Sequence, residues 1–546
     1  MTPDSVDDLR TRLRDLGYLT HGVERWFALD PWSSRTFWQE LLLVAAKSGA
    51  LVAPFAALPM IAAMIVRNRP VTLATGATLA AAYLVFAFVL VGALVTLTAL
   101  ALKARAARTI DHPGLLTAIA LALSIALSLG IAVWWSGFAE LPGALEGIVV
   151  ALLVLLLVAA GTVVFSAAIL SFSVREARQI PAVARSSRSL PILVAGAAMI
   201  LLALAATRIG TPEPRRERPR QIVAAQTGSR VALLAVDGLT RQLYLARPRL
   251  RDSFVADAAV AFTPSASAAE RWATAGTGTR REVHQVRSVE SLRLPAADRV
   301  LQQVSRFDPL ATGAARRSGL VRRQPLPSAI RERDYVWEIL ASRGLPVLAV
   351  NWWVSAASDA GPLRVVPQEA IFSGAAGKDP AAGAAEIDAR ALAALAGAID
   401  DRSVRLATAY LPSLDILLNR LEIGQERRLA LSLRALDRIA AAVGDLRARG
   451  FDVILIGSPS EGGEGGGVIA ATFPLARREA SAADLAPTLL DLAGFPASRE
   501  MAGASLLERS TQARIDSFGS RSAPVSAEPA DRTEYHEALR SLGYVR

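Results

Sequence analysis

The 546-residue chain has no cysteine and only four histidines: His21, His112, His284 and His536. The first absence excludes disulfides, cysteine–zinc sites, iron–sulfur clusters and thiol nucleophiles. The second restricts any histidine-rich metal centre, because imidazole is the commonest transition-metal ligand and these four lie far apart. Lysine is nearly absent too. Lys47, Lys103 and Lys378 are the only lysines among 60 basic residues, and the net charge is +11. So strong an arginine bias reads as base composition rather than selection for phosphate contacts, so no nucleic-acid partner is expected. Charged residues make up 20% of the chain and hydrophobic ones 52%. Soluble domains usually carry about 25% charge.

The apolar residues are concentrated in the first 208. Charge-free runs cover 48–66, 71–102, 114–139, 147–174 and 189–207, with 19, 32, 26, 28 and 19 residues. Crossing a bilayer takes about 20 apolar residues. The pattern predicts an N-terminal all-α polytopic membrane domain over 41–208, with five transmembrane helices near 48–66, 76–102, 115–138, 147–173 and 189–207. Pro54 and Pro59 interrupt the first run, which leaves a kinked or re-entrant segment open. Residues 1–40 are charged and have no cleavable signal pattern. They read as a cytoplasmic amphipathic segment, either on the membrane surface or solvated.

Orientation follows the basic loops. Lys103, Arg105 and Arg108 follow the second run; Arg175, Arg178, Arg185 and Arg188 follow the fourth; the loop after the third has no basic residue. With five spans, these loops and the basic N-terminal stretch share one face, expected to be cytoplasmic. Arg67 and Arg69 are exceptions on the other face. The expected location is the inner or plasma membrane, multi-pass, with the C-terminal half periplasmic or extracellular. Membrane lipids are expected partners. The 209–229 segment is a basic Pro/Arg linker whose arginines are attracted to anionic headgroups. The spans hold almost no internal charge, which speaks against a transporter.

Beyond the linker, residues 230–546 alternate between short apolar runs and helical patterns. Strands are expected at 230–236, 346–352, 404–411, 452–457 and 467–473. Helices are expected at 334–343, 387–400, 426–449 and 484–493. Such alternation predicts an α/β domain with a mostly parallel central sheet. Ligands bind such sheets beyond the carboxyl ends of the strands. Those ends fall at Asp237, after Phe262, near Asp415 and after Ile456.

The residues there resemble a known family. The strand ending in Asp237-Gly238 is similar to the first strand and metal-ligand aspartate of the alkaline phosphatase superfamily, in its type I phosphodiesterase/nucleotide pyrophosphatase and sulfatase-like branch. Trp272-Ala-Thr-Ala-Gly-Thr277-Gly278, with His284 beyond it, resembles that branch's W-T-x-x-x-T-G…H segment. Arg333 to Trp337, then Gly344 and Val350-Asn-Trp-Trp353, resembles its next helix and strand. Asp484-Leu-Ala-Pro487-Thr488-Leu-Leu, Gly494-Phe-Pro496 and Met501-Ala-Gly503 resemble its D-I-A-P-T-L-L…G-x-P…M-x-G segment. The ending Leu539 to Tyr544 is also of its type.

The resemblance implies an alkaline-phosphatase-like fold with two divalent ions, usually zinc, on three aspartates and three histidines. A threonine or serine would attack phosphorus or sulfur. Carried over residue by residue, the implied site breaks down. The first aspartate matches Asp237. The nucleophile position matches Ala268, with Ser267 and Ser265 as weak substitutes. The D-x-x-x-H pair matches Asp415 and Asn419. The D-H-G ligands fall at Ser458 and Pro459. No histidine occupies the last position, where Glu461 and Glu464 stand near a glycine run. Asp237 and Asp415 are thus the weak metal candidates.

Each retained residue also has a purely structural reading. Asp237 can close a turn before Gly238, and Asp415 can start a helix running through Leu421. Trp272, Trp337, Trp352 and Trp353 can be core packing. The expected function is a membrane-anchored alkaline-phosphatase-like or sulfatase-like protein with a degenerate metal centre. Its role would be non-catalytic, binding, scaffolding or regulating an envelope protein partner, with no cofactor. The alternative is a divergent hydrolase or transferase of phosphate or sulfate esters. That enzyme would use zinc or another divalent cation with Asp237, Asp415, a serine at 265 or 267, and Glu461 or Glu464.

Overall fold

The computed structural model describes residues 36–68, 71–105, 113–136, 144–176, 227–263, 266–303, 307–375, 379–399, 403–461, 466–521 and 532–545, with Phe27 and Gly377. The chain divides into two compact units. One comprises Met1–Pro212 and Leu292–Arg322; the other comprises Glu213–Ser291 and Arg323–Arg546.

The first unit is built on four helices: α1 (Phe37–Arg67), α2 (Leu73–Arg105), α3 (Pro113–Ser136) and α4 (Ala144–Glu176). All four are long and apolar enough to cross a membrane. The predicted fifth run at 189–207 lies outside the described residues, as does nearly all of the 1–40 segment. The first helix starts earlier than its charge-free run suggests. Thr36 caps it through a capping box with Gln39, so the helix also takes in Glu40 and Lys47. It runs unbroken through Pro54 and Pro59. A proline removes one backbone donor without exposing a new one.

Several hydroxyls inside these helices bond back to the preceding turn. Ser124 donates to the Ala120 carbonyl at 3.0 Å, and Ser128 to the Ser124 carbonyl at 2.9 Å. Small residues bring the helices together. A Cβ at Gly49 would meet the Phe88 ring at 2.8 Å, and one at Gly161 would meet Ser124 Oγ at 2.7 Å.

The second unit is an α/β domain. Its strands are β1 (Val231–Asp237), β2 (Ala256–Ala261), β3 (Val347–Val350), β4 (Ser358–Ala360), β5 (Leu363–Val366), β6 (Leu406–Leu411), β7 (Asp452–Ser458), β8 (Gly467–Ala471) and β9 (Glu479–Ser481). They form one sheet in the order β9-β2-β8-β7-β1-β6-β3-β5-β4. The central run from β7 to β5 is all parallel. β8 is antiparallel to both its neighbours, and β4 is antiparallel to β5. Every residue of β1 is buried, as expected for a central parallel strand covered on both faces.

The main helices are α5 (Ala268–Thr277), α6 (Val336–Ala341), α7 (Pro380–Ile399), α8 (Gln425–Ala448), α9 (Leu485–Leu492) and α10 (Thr533–Ser541). In α8 the buried stripe Ser432, Ala435, Leu436, Ile439, Val443 and Leu446 recurs at helical spacing. The five expected strands and four expected helices are present near the positions the alternation gives them. Strands β2, β4, β5 and β9 and helices α5 and α10 were not among those expected. β2 is only half-buried and alanine-rich, and β4, β5 and β9 are three or four residues long, too short to stand out as apolar runs.

Candidate functional site

Parallel packing of β1, β6 and β7 aligns their carboxyl ends. Asp237 ends β1 opposite Ser458 at the end of β7, and Asp415 follows β6. The approach is close: a Cβ on Gly238, whose φ is +85°, would lie 2.4 Å from the Asp415 backbone nitrogen. Only glycine fits there. Asp237, Asp415, Asn419, Ser458 and Pro459 therefore share one sheet edge, as the resemblance implies. Ser265 and Glu464 lie outside the described residues, and Glu461 is exposed.

Each retained carboxylate is already engaged. The Arg271 guanidinium donates to both oxygens of Asp237, at 3.2 and 3.4 Å. Both side chains are almost completely buried, at 2% and 0% exposure. Arg271 also donates to the Ala266 carbonyl at 2.8 Å, bridging the start of α5 to β1. The Tyr410 hydroxyl donates to Asp237 Oδ2 at 3.0 Å. Asp415 pairs with Arg420 through Nε. That guanidinium lies 4.1 Å over the Tyr544 ring and donates to the Gly543 carbonyl at 3.3 Å.

Local backbone geometry explains the second pair. Residues Ile416–Arg420 form a π-helical turn, with the Leu421 amide bonded to the Ile416 carbonyl at 3.1 Å. Widening to an i→i+5 bond brings residues five apart onto one face. Arg420 thereby reaches Asp415, and Asn419 donates its amide to Ser460.

The electrostatics follow from burial and these pairs. Burial pushes the Asp237 carboxyl above the usual carboxylate range against the pull of Arg271, and the charge of Asp415 adds to the rise. Burial opposes the Arg271 charge, yet Asp237 and Asp415 hold its pKa above the ordinary value. Arg420 is held up in the same way, chiefly by Asp415. Burial and the neighbouring carboxylates push the Tyr410 and Tyr544 phenols well up, so both stay protonated. Tyr410 gives its proton to Asp237, so Tyr544 donates to Tyr410 across 3.3 Å.

The remaining implied positions are occupied structurally. Ser267 is the N-cap of α5: its Oγ accepts from the Glu270 amide at 3.2 Å and donates to the Arg287 carbonyl at 3.0 Å. Ser458 donates to the Pro459 carbonyl at 2.9 Å, and Pro459 has no polar side chain. His284 is fully buried and its pKa is lowered to about 3, first by burial and then by Arg287, Arg331 and Arg281. Its Nδ1 accepts from the Val286 amide at 3.0 Å. The proton therefore sits on Nε2, which faces Thr274 Oγ1 at 3.1 Å.

A pair of divalent cations does not fit this donor set. Among the described residues no group of three or more His, Asp or Glu side chains could hold an ion. The two carboxylates present face guanidinium charges that would repel a dication at short range. Arg271 and Arg420 were not anticipated from sequence. The available signal was a cation beside each family position: Arg271 directly before Trp272, and Arg420 directly after Asn419.

The better-matched motif residues hold the scaffold together. Gly278 ends α5 with φ +69°, and a Cβ there would lie 2.9 Å from the Ala486 Cβ. Its carbonyl accepts from the Ala502 amide at 2.8 Å. Asp484 accepts from the Ala504 amide at 2.7 Å, and Thr488 Oγ1 from the Leu506 amide at 3.0 Å. Trp272, Trp337, Trp352 and Trp353 are all buried. Trp272 meets Tyr410 and Trp352 edge-on, with ring centroids 5.5 and 6.1 Å apart.

No known family profile and no curated protein matches the sequence. Solved structures similar to the chain include phosphonoacetate hydrolase from Sinorhizobium meliloti 1021 with phosphonoformate (TM-score 0.30, 12% identity, 45% of this chain and 60% of that one). Another is murine ectonucleotide pyrophosphatase/phosphodiesterase 5, an inactive form with AMP (TM-score 0.29, 12% identity, 42% and 56%). A third is phosphonate monoester hydrolase from Silicibacter pomeroyi (TM-score 0.29, 13% identity, 51% and 76%). The chain spans 60% of the first and 56% of the second. The likeness is partial. The class defined so far is a protein with, among the described residues, four helices long and apolar enough to cross a membrane, and a mostly parallel α/β domain.

Proposed function

We propose that the protein is a membrane-anchored, alkaline-phosphatase-like protein whose metal centre has been replaced by ion pairs. It serves a non-catalytic role at the cell envelope by binding, scaffolding or regulating a protein partner. The observation that supports this most is the buried pairing of Asp237 with Arg271 and of Asp415 with Arg420. A hydrolase of this kind needs dications to activate a nucleophile and steady a leaving oxygen. Here a guanidinium neutralises each surviving carboxylate, and Ala268 offers no attacking atom. Nor does Ser267 supply the chemistry, since its hydroxyl is committed to the helix cap and the Arg287 carbonyl. No cofactor is part of this reading, and the α/β domain is placed at the periplasmic or extracellular face.

The test is an assay of the purified full-length protein. Phosphomonoesters, phosphodiesters, phosphonate esters and sulfate esters are offered with zinc, manganese or calcium. The expected result is no turnover above the buffer rate. Turnover that needs a metal and is lost in Asp237→Asn would overturn the proposal and restore the hydrolase reading.

A further inference from the structure

Residues 292–322 lie between two stretches of α/β sequence, yet they group with the helical unit. The contacts that hold them there are specific. At the α1–α2 connection, Asn68 Nδ2 donates to the Gln302 carbonyl at 3.2 Å, and the Gln302 amide donates to Asn68 Oδ1 at 2.6 Å. The hydroxyls of Thr72 and Thr75 both donate to Asp298, and the Arg299 amide donates to Thr75 Oγ1 at 3.3 Å. Further along α2, the Tyr83 hydroxyl lies 2.9 and 3.0 Å from the two oxygens of Asp308. Leu292, Leu294, Leu301, Leu310 and Val321 are buried in one cluster with α1 and α2 residues such as Ile61, Leu79 and Tyr83. The segment therefore follows α2 from Thr72 to Tyr83, about 16 Å at 1.5 Å per residue.

These contacts have a topological consequence. Asn68, Thr72 and Thr75 stand at the end of the α1–α2 hairpin, so Asp298 and Gln302 are on the same membrane face as that end. From there α2, α3 and α4 carry the chain across three times. The end of α4 is then on the opposite face from Gln302. Between Thr227 and Ser291 the chain runs through the α/β unit, whose described residues hold no helix both long and apolar enough to cross a membrane.

We infer that residues 292–322 form a strap docked on the α1–α2 hairpin, at the membrane face opposite the ends of α2 and α4. The charge pattern agrees independently. Lys103 and Arg105 at the end of α2 and Arg175 near the end of α4 then fall on the face opposite the strap, as a cytoplasmic face requires.

The absence of native cysteine allows a clean test on the full chain. Single variants Val71→Cys, Ala296→Cys and Arg108→Cys are treated with a membrane-impermeant maleimide in intact cells and again after permeabilisation. Val71→Cys and Ala296→Cys are expected to label in intact cells, and Arg108→Cys only after permeabilisation. The pair Asn68→Cys with Gln302→Cys is expected to crosslink under mild oxidation. Labelling of Arg108→Cys and Ala296→Cys from the same face would overturn the opposite placement of the strap and the end of α2 even if the other variants failed to fold. Labelling of Val71→Cys and Ala296→Cys from opposite faces would overturn the strap.

Discussion

Two regions of the same sheet edge have fared differently. On the scaffold side, Gly278, Asp484, Thr488 and Gly503 make the contacts that hold α5, α9 and the following loop together. On the chemical side, the implied nucleophile and histidine positions are Ala268, Asn419 and Pro459, and the two surviving aspartates are paired with arginines. Glycines and caps are needed by any chain that adopts this backbone. Metal ligands are needed only while a metal is bound. Two buried carboxylates facing each other are a liability, and a guanidinium beside each offsets it.

The comparison can be broken by mutation, and the largest effect is expected at the ion pairs. Arg271→Met leaves the Asp237 charge buried and uncompensated, at a cost of about 3–5 kcal/mol. In chemical denaturation the double variant Asp237→Asn/Arg271→Met should recover part of that loss. A carboxylate kept for a missing metal would behave in the opposite way, because its removal would relieve like-charge repulsion and stabilise the protein.

On the scaffold side, Gly278→Ala should cost about 2–3 kcal/mol. The new Cβ meets Ala486, and the left-handed backbone disfavours any side chain. A thermal melt that matches the unmodified chain would show that this motif glycine is not structural.

A smaller, pH-dependent effect is expected at Asp388, whose carboxyl burial pushes up to about 7 while it accepts from the Ser413 amide at 3.1 Å. A raised folded pKa means the folded state holds this proton more tightly than the unfolded chain does. Its contribution to stability is present below the ordinary carboxylate pKa and lost as pH rises towards about 7. Asp388→Asn should therefore be nearly neutral at pH 4 and stabilising at pH 8, on the order of 2 kcal/mol. Equal effects at both pH values would show that Asp388 is ionised throughout.

The mildest expected change is Ser267→Ala. Loss of the α5 cap should cost about 1 kcal/mol and alter no hydrolytic activity. A drop in ester turnover would identify Ser267 as the nucleophile of the alternative reading.

The central strands and the shared placement of Asp237 and Asp415 were legible because both depend on local sequence. A buried parallel strand reads as an apolar run, and a strand end before glycine reads as a turn. The guanidinium pairs were not legible. Arg271 is 34 residues from Asp237, and Arg420 reaches Asp415 only because the backbone widens into a π-turn. The 292–322 strap was hidden for the same reason, since its partners lie more than 220 residues away. The start of α1 was misplaced because a capping box at Thr36 extends the helix past Glu40 and Lys47. Absence of charge marks where a helix can sit in lipid, not where it begins.

The most direct test is the metal content of the full-length protein after equilibration with excess zinc and removal of free ion. Mass spectrometry under native conditions reads the result. Asp237 and Asp415 held by Arg271 and Arg420 predict no stoichiometric zinc, and no change on Asp237→Asn. Two ions per chain, lost in Asp237→Asn, would contradict the account.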